Sequence, residues 1–334
     1  MTLISSQRCE WSVVRYSFAL CAVLFVLCSP IHAQQAGKIA RIGFLDPSTA
    51  SGMAVLVDAF RQELSKLGWI EGKNIAFEYR FSEQNSERLS ELAAELVRLK
   101  VDLIVVTGGR VPLTAKKATS TIPIVMASGS DPVGAGLVAS LARPGGNVTG
   151  LTSLNQELIT KRLEVLKDTV PTLSRVGLLR PSTSGQLKEI RRAALALKLS
   201  LQEIDTQPDA KGLQNAFQAA KQKQVDGIMT ATTRPFFAER KRIVELAAKY
   251  RLPAIYPEKG FVEEGGLMSY GADFEDLFRH AAVYVDKILK GAKPADLPVQ
   301  QARKFEFIVN LKAAKEIGLT IPNRVLERAN KVIK

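Results

Sequence analysis

The sequence predicts an α/β protein of two similar lobes, each a parallel sheet flanked by helices, joined by a multi-strand hinge. Strand and helix patterns alternate with few long gaps from Ile39 onward, as a parallel sheet covered on both faces requires. The chain also repeats itself. Val101-Asp102-Leu103-Ile104-Val105-Val106 followed by Ile122-Pro123-Ile124-Val125 returns as Val225-Asp226-Gly227-Ile228-Met229 followed by Leu252-Pro253-Ala254-Ile255. Gly136-Leu137-Val138 likewise returns as Gly266-Leu267-Met268. Finally, residues 1–33 read as a removable leader: Arg8 and Arg15 precede an apolar stretch, Phe18 to Leu27, and the segment ends at Ile31-His32-Ala33. That stretch falls short of the roughly 20 residues a membrane span needs.

The elements follow in order. Ile39 to Leu45 is a short apolar strand. Met53, Leu56, Val57, Phe60, Leu64 and Leu67 then step by three and four, placing one apolar stripe on a helix that Gly68 stops. Ile75, Phe77, Tyr79 and Phe81 alternate with wetter residues, the period of a strand with one exposed face. Helical spacing returns from Ser86 to Leu99. The runs Leu103 to Val106 and Ile122 to Met126 are strands buried on both faces. Arg143-Pro144-Gly145-Gly146-Asn147 is a turn cluster and the expected first passage between lobes.

A second unit begins beyond it. Helices are expected at Asn155 to Lys167, Ser184 to Lys198, Ala210 to Gln222 and Arg234 to Tyr250, and strands at Leu173 to Leu179, Leu199 to Ile204, Val225 to Met229, Leu252 to Tyr256 and Leu267 to Tyr270. The helix Phe274 to Leu289, ended by Gly291 and Pro294, is expected to pack back on the first lobe, and the strand Phe305 to Val309 to close the second. The expected division is a leader at 1–33, a first lobe of 39–148 plus 274–304, and a second of 149–273 plus 305–334.

Composition removes several chemistries. Cys9, Cys21 and Cys28 all lie in the leader, so the exported chain has no disulfide, thiolate nucleophile or sulfur-bound metal. Only His280 remains outside it, which excludes histidine-based triads and common zinc sites. No Gly-x-Ser-x-Gly elbow or phosphate loop occurs, and Gly134-x-Gly136-x-x-Ala139 lacks the preceding strand a dinucleotide fingerprint needs, so no cofactor is expected. Carboxylate-pair catalysis stays open through Asp131, Glu258, Glu263, Glu264 and Asp273. Without the leader's Arg8, Arg15 and Glu10, 44 Lys plus Arg face 32 Asp plus Glu, a charge of +12 over 301 residues. The basic pairs lie on expected helix faces without interleaved aromatics, which argues against nucleic acid.

What remains is a set of short polar loops after expected strands, where open α/β sheets bind ligands. These are Pro47-Ser48-Thr49, Thr107-Gly108-Gly109 and Ser128-Gly129-Ser130-Asp131 in the first lobe. The second lobe supplies Arg180-Pro181-Ser182-Thr183, Thr232-Thr233-Arg234 and Tyr256-Pro257-Glu258. Hydroxyls and glycine amides at helix starts suit anionic groups, although Ser, Thr and Asp also cap helices for purely structural reasons.

Several phrases resemble the periplasmic substrate-binding proteins of ABC transporters in the subfamily assigned to tryptophan and tyrosine uptake, relatives of the leucine-binding type. They include Leu67-Gly68-Trp69-Ile70-Glu71-Gly72-Lys73-Asn74, Asp131-Pro132-Val133-Gly134, Leu141-Ala142-Arg143-Pro144-Gly145-Gly146-Asn147-Val148-Thr149-Gly150-Leu151 and Gly265-Gly266-Leu267-Met268-Ser269-Tyr270-Gly271. The resemblance implies two Rossmann-like lobes in a type I clamshell that closes over a small ligand and presents it to a membrane permease, one chain acting alone in the periplasm. Arg180-Pro181-Ser182 stands where the family is expected to carry an Asn-Pro loop. Thr232-Thr233-Arg234 stands where it often has Ser-Asp-Pro. Two arginines gained and one acid lost point to a ligand bearing a carboxylate.

The expected contacts are Ser48, Thr49, Thr107, Gly108, Ser128, Ser130 and Asp131 from the first lobe. From the second they are Arg180, Ser182, Thr183, Thr232, Thr233, Tyr256, Tyr270 and Asp273. A receptor that hands its closed state to a signalling partner, and an exported carboxylate-dependent enzyme, remain as alternatives.

Overall fold

The apolar runs assemble into two sheets with the same strand order. In the computed structural model, which describes residues 39–85, 87–181 and 187–334, with the backbone alone at Gln156, the strands are as follows. They are β1 (Ala40–Asp46), β2 (Ile75–Phe81), β3 (Leu103–Thr107), β4 (Ile124–Gly129), β5 (Val148–Thr152), β6 (Arg175–Arg180) and β7 (Ser200–Asp205). Then come β8 (Gly227–Thr230), β9 (Ala254–Tyr256), β10 (Met268–Ala272), β11 (Gln300–Gln301), β12 (Phe305–Asn310) and β13 (Lys331–Ile333). The first sheet runs β11-β5-β4-β3-β1-β2, all parallel. The second runs β13-β12-β10-β9-β8-β6-β7, parallel except where β12 meets β10. Both cores read 2-1-3-4-5 in their own numbering, so the repeat seen in the sequence is a repeat of topology. Each order reverses beside its first strand, at β1/β3 and at β6/β8, and ligands of such sheets bind beyond the strands' C-terminal ends at that point.

The helix Phe274–Leu289 packs on the first sheet, as its stripe predicts. Leu277, Phe278, Ala281 and Val285 are buried there against the helix Ala50–Lys66, and the Phe278 ring lies 6.5 Å from that of Phe44 on β1. The chain therefore passes between the sheets three times, after β5, after β10 and between β11 and β12.

Three expectations needed correction. The first passage does not fall at Arg143–Asn147, because the following β5 pairs with β4 and β11 in the first sheet. Gly150 hides that strand in the sequence. Its φ is +124°, and a Cβ there would stand 2.3 Å from Met126 O, so the strand's centre cannot carry an apolar side chain. The helix expected over Arg234 to Tyr250 is two helices, Arg234–Ala238 and Arg240–Lys249, parted at Glu239. Arg240 Nη1 donates to Phe237 O (3.2 Å) across the break. The helices Val111–Ala118 and Lys259–Glu263 are also present, too short to show a helical period. No helix among the described residues is long and apolar enough to cross a membrane. The expected leader lies outside the described residues.

Candidate ligand-binding site

At the C-terminal edge of the first sheet, Asp46 ties two loops together. Its Oδ1 accepts the Ser48 amide (2.7 Å) and its Oδ2 accepts the Thr107 hydroxyl. Gly108 N donates to Ser128 O (3.2 Å), which brings the third loop alongside. Ser48, Thr107, Gly108 and Ser128 are thus gathered as expected, around an aspartate that the loop pattern did not single out. Asp46 is wholly buried, and burial pushes its carboxyl up to about 6 against the opposing pull of Thr107, Ser48 and the charge of Arg234. Thr49 caps the Ala50–Lys66 helix by accepting from Gly52 N (3.1 Å). Ser130 and Asp131 lie further out, in a recess of about 350 Å³ that they share with Thr152, Asn155 and Gln301.

The second sheet answers with buried charge. Arg162, on the helix Asn155–Thr169, is 2% exposed. It donates from Nη2 to Asn155 O (3.0 Å) and from Nη1 to Thr232 Oγ1 (3.4 Å). Burial pulls its guanidinium down to about 10, opposed by the charges of Glu258 and Tyr270. Arg234 is likewise 2% exposed and pairs through Nη2 with Glu258 Oε1. Glu258 is held above the usual carboxylate range by burial, with Arg234, Arg162 and Arg240 opposing. Asn155 reaches the site because its Nδ2 donates to Ser153 Oγ (2.7 Å), while Ser153 Oγ donates to Gly129 O at the end of β4.

The other expected contacts serve different ends. Arg180 is turned to the sheet margin, 2.8 Å from Asp205 and 3.5 Å from Glu203, because β7 sets those acids beside it. Tyr256 is core: its ring stacks on Phe261 at 4.7 Å, and burial pushes its phenol up. Tyr270 meets Phe307 edge-on and stays half-buried. Thr233 and Asp273 cap helices, accepting from Phe236 N and Asp276 N. Ser182 and Thr183 lie outside the described residues.

Among the described residues, seven buried polar atoms near these sheet ends have no protein partner: Ser48 Oγ, Asn155 Oδ1, Arg162 Nε, Thr230 Oγ1, Arg234 Nη1, Glu258 Oε2 and Ser269 Oγ. Each such group left unmatched costs about 1–3 kcal/mol, so these atoms are the candidates for contacts to a polar ligand. The two sheet edges meet. Arg234 Cγ lies 3.8 Å from where a Gly108 Cβ would stand, and a Cβ on Gly52 would come within 2.4 Å of Ala238 Cβ.

Residues 41–333 match the family of ABC transporter substrate binding proteins. A tyrosine-binding protein of Clostridioides difficile is 27% identical over 263 residues, which cover 78% of this chain and 75% of the relative. Among solved structures, a conserved domain protein from Vibrio cholerae superposes with a TM-score of 0.80 at 27% identity, covering 88% of this chain and 100% of that one. An ABC domain from Streptococcus pneumonia in complex with L-Trp gives 0.78 at 27% identity, covering 89% and 100%.

Proposed function

This chain belongs to the ABC transporter substrate binding protein family, and from that premise we propose that it is the periplasmic receptor of an importer for a small carboxylate-bearing solute, an amino acid or a related organic anion. The leader at 1–33 exports it, and a membrane permease takes the ligand from its closed form. The two lobes are the two sheets with their helices, hinged at the three crossings, and ligand binding favours the closed arrangement because only there do both edges touch it.

The observation that carries this reading is the cluster of unpartnered buried polar atoms. Arg162 Nε is a charged donor for a carboxylate. The start of the Asn155–Thr169 helix, which has no side-chain cap, adds amide donors and the positive end of a helix dipole. Glu258 Oε2 and Asn155 Oδ1 are acceptors for an ammonium. Glu258 thus supplies the carboxylate that Thr232-Thr233-Arg234 lacks. The relatives named for tyrosine and solved with L-Trp support an amino acid.

Calorimetric titration tests the assignment. Amino acids and small organic acids are screened on the wild-type protein, and the tightest is repeated on Arg162→Gln. A charge-assisted hydrogen bond lost from a buried site lowers affinity by about tenfold or more. Affinity within about twofold of wild type would show that Arg162 does not hold the carboxylate.

A further inference from the structure

Four aromatic rings beside this site, Phe237, Phe274, Tyr256 and Phe261, are already covered, and Tyr270 keeps a half-buried ring that Phe307 meets edge-on. The Arg234 guanidinium carbon lies 4.4 Å from the centroid of Phe274 and 5.0 Å from that of Phe237, and Arg240 covers Phe237 as well at 4.7 Å. Tyr256 is stacked on Phe261 with an interplanar angle of 5°. All four rings are at most 4% exposed. A guanidinium over a phenyl face occupies the position that an aromatic ring of a ligand would need, and it does so with its own attraction.

Arg234 also keeps Nη1 without a partner among the described residues, although the side chain is 2% exposed. The ammonium and carboxylate of an amino acid can engage Glu258 Oε2, Asn155 Oδ1, Arg162 Nε and hydroxyls among Ser48, Thr230 and Ser269. Arg234 Nη1 is then a donor in excess of what those two groups use.

Resting on the receptor reading above, we infer that the far end of the ligand carries a planar oxygen acceptor, amide or carboxylate, received by Arg234, and not an aromatic ring. Arg234 is on this account the residue that sets specificity. It excludes aromatic side chains by covering Phe237 and Phe274, and it attracts an acceptor with a charged donor that pays no further desolvation on binding.

The test is the order of affinities for L-glutamine, L-glutamate, L-tyrosine, L-tryptophan and L-leucine, measured by calorimetry on the wild-type protein and on Arg234→Ala. The wild type is expected to bind glutamine or glutamate about tenfold or more tightly than the other three. In Arg234→Ala that preference falls and the aromatic pair gains, because the phenyl faces are uncovered. The wild-type order decides the matter even where the variant does not fold, since Glu258 would be left buried without its partner. Tightest binding of an aromatic or aliphatic amino acid overturns the inference and leaves the receptor reading standing. So does an unchanged order in a folded Arg234→Ala. Failure of every carboxylate-bearing solute to bind overturns the receptor reading as well.

Discussion

Asp46 joins the turn after β1 to the end of β3, and its burial gives the fold a pH dependence of known sign. Its carboxyl titrates near 6 in the folded chain, against an ordinary value of 3.8. The folded chain therefore holds the proton over a window in which the unfolded chain has released it. The contribution to stability is fully present below about pH 4, is lost as the pH rises to about 6, and amounts to about 3 kcal/mol across the window. Asp46→Asn keeps an acceptor for Ser48 N and places an amide donor toward Thr107, so it removes the titration and preserves the contacts. Urea unfolding at pH 4, 5, 6 and 7 is expected to show a smaller loss of stability with rising pH in the variant, and parallel profiles would contradict the assignment. Residues at this scale differ in how far the sequence discloses them. Ser48, Thr107, Ser128 and Thr232 are legible because polar residues after a strand are conspicuous. Arg162 is not, since Lys161-Arg162 on a helix reads as a solvated pair, and only the tertiary packing of Asn155–Thr169 turns one of the two inward. Thr230 and Ser269 are hidden inside apolar strands.

Among the elements, the helices Ala50–Lys66 and Arg234–Ala238 set how closely the two edges approach. Gly52 faces Ala238 with no space for a methyl group, and its carbonyl accepts from Arg240 Nη1 (3.4 Å). Alanine is the better helix former by about 1 kcal/mol, so Gly52→Ala is expected to stabilise the ligand-free protein or leave it unchanged. The added Cβ holds the edges apart, however, and ligand affinity is expected to fall by about tenfold. Paired measurements of melting temperature and dissociation constant check this, and an unchanged affinity would mean that the Gly52–Ala238 contact plays no part in closure. The long elements were the legible ones. Ala210–Gln222 and Phe274–Leu289 fall where their apolar period placed them, because each buries a continuous stripe. β5 escaped notice because Gly150 interrupts it, and the single helix expected from Arg234 to Tyr250 is broken at Glu239, where both Phe236 and Phe237 turn into the interior.

Over the whole molecule, the internal repeat is the most informative signal, since it predicts two similar lobes, and the two sheets share one strand order. That shared order brings two switch points face to face, and the polar atoms at both sheet edges then find themselves between lobes and short of partners. The ligand that completes them was not legible from loop composition. It depends on which arginine is free: Arg180 is spent on Asp205 and Glu203, while Arg162 and Arg234, on other elements, each keep a nitrogen available. Native mass spectrometry of protein gently purified from the exported fraction, followed by denaturation and identification of whatever is released, tests the central claim most directly. The account predicts one small molecule per chain, bearing a carboxylate. Recovery of a bound solute without a carboxylate, or an empty protein that no carboxylate-bearing solute stabilises against heat, would contradict it.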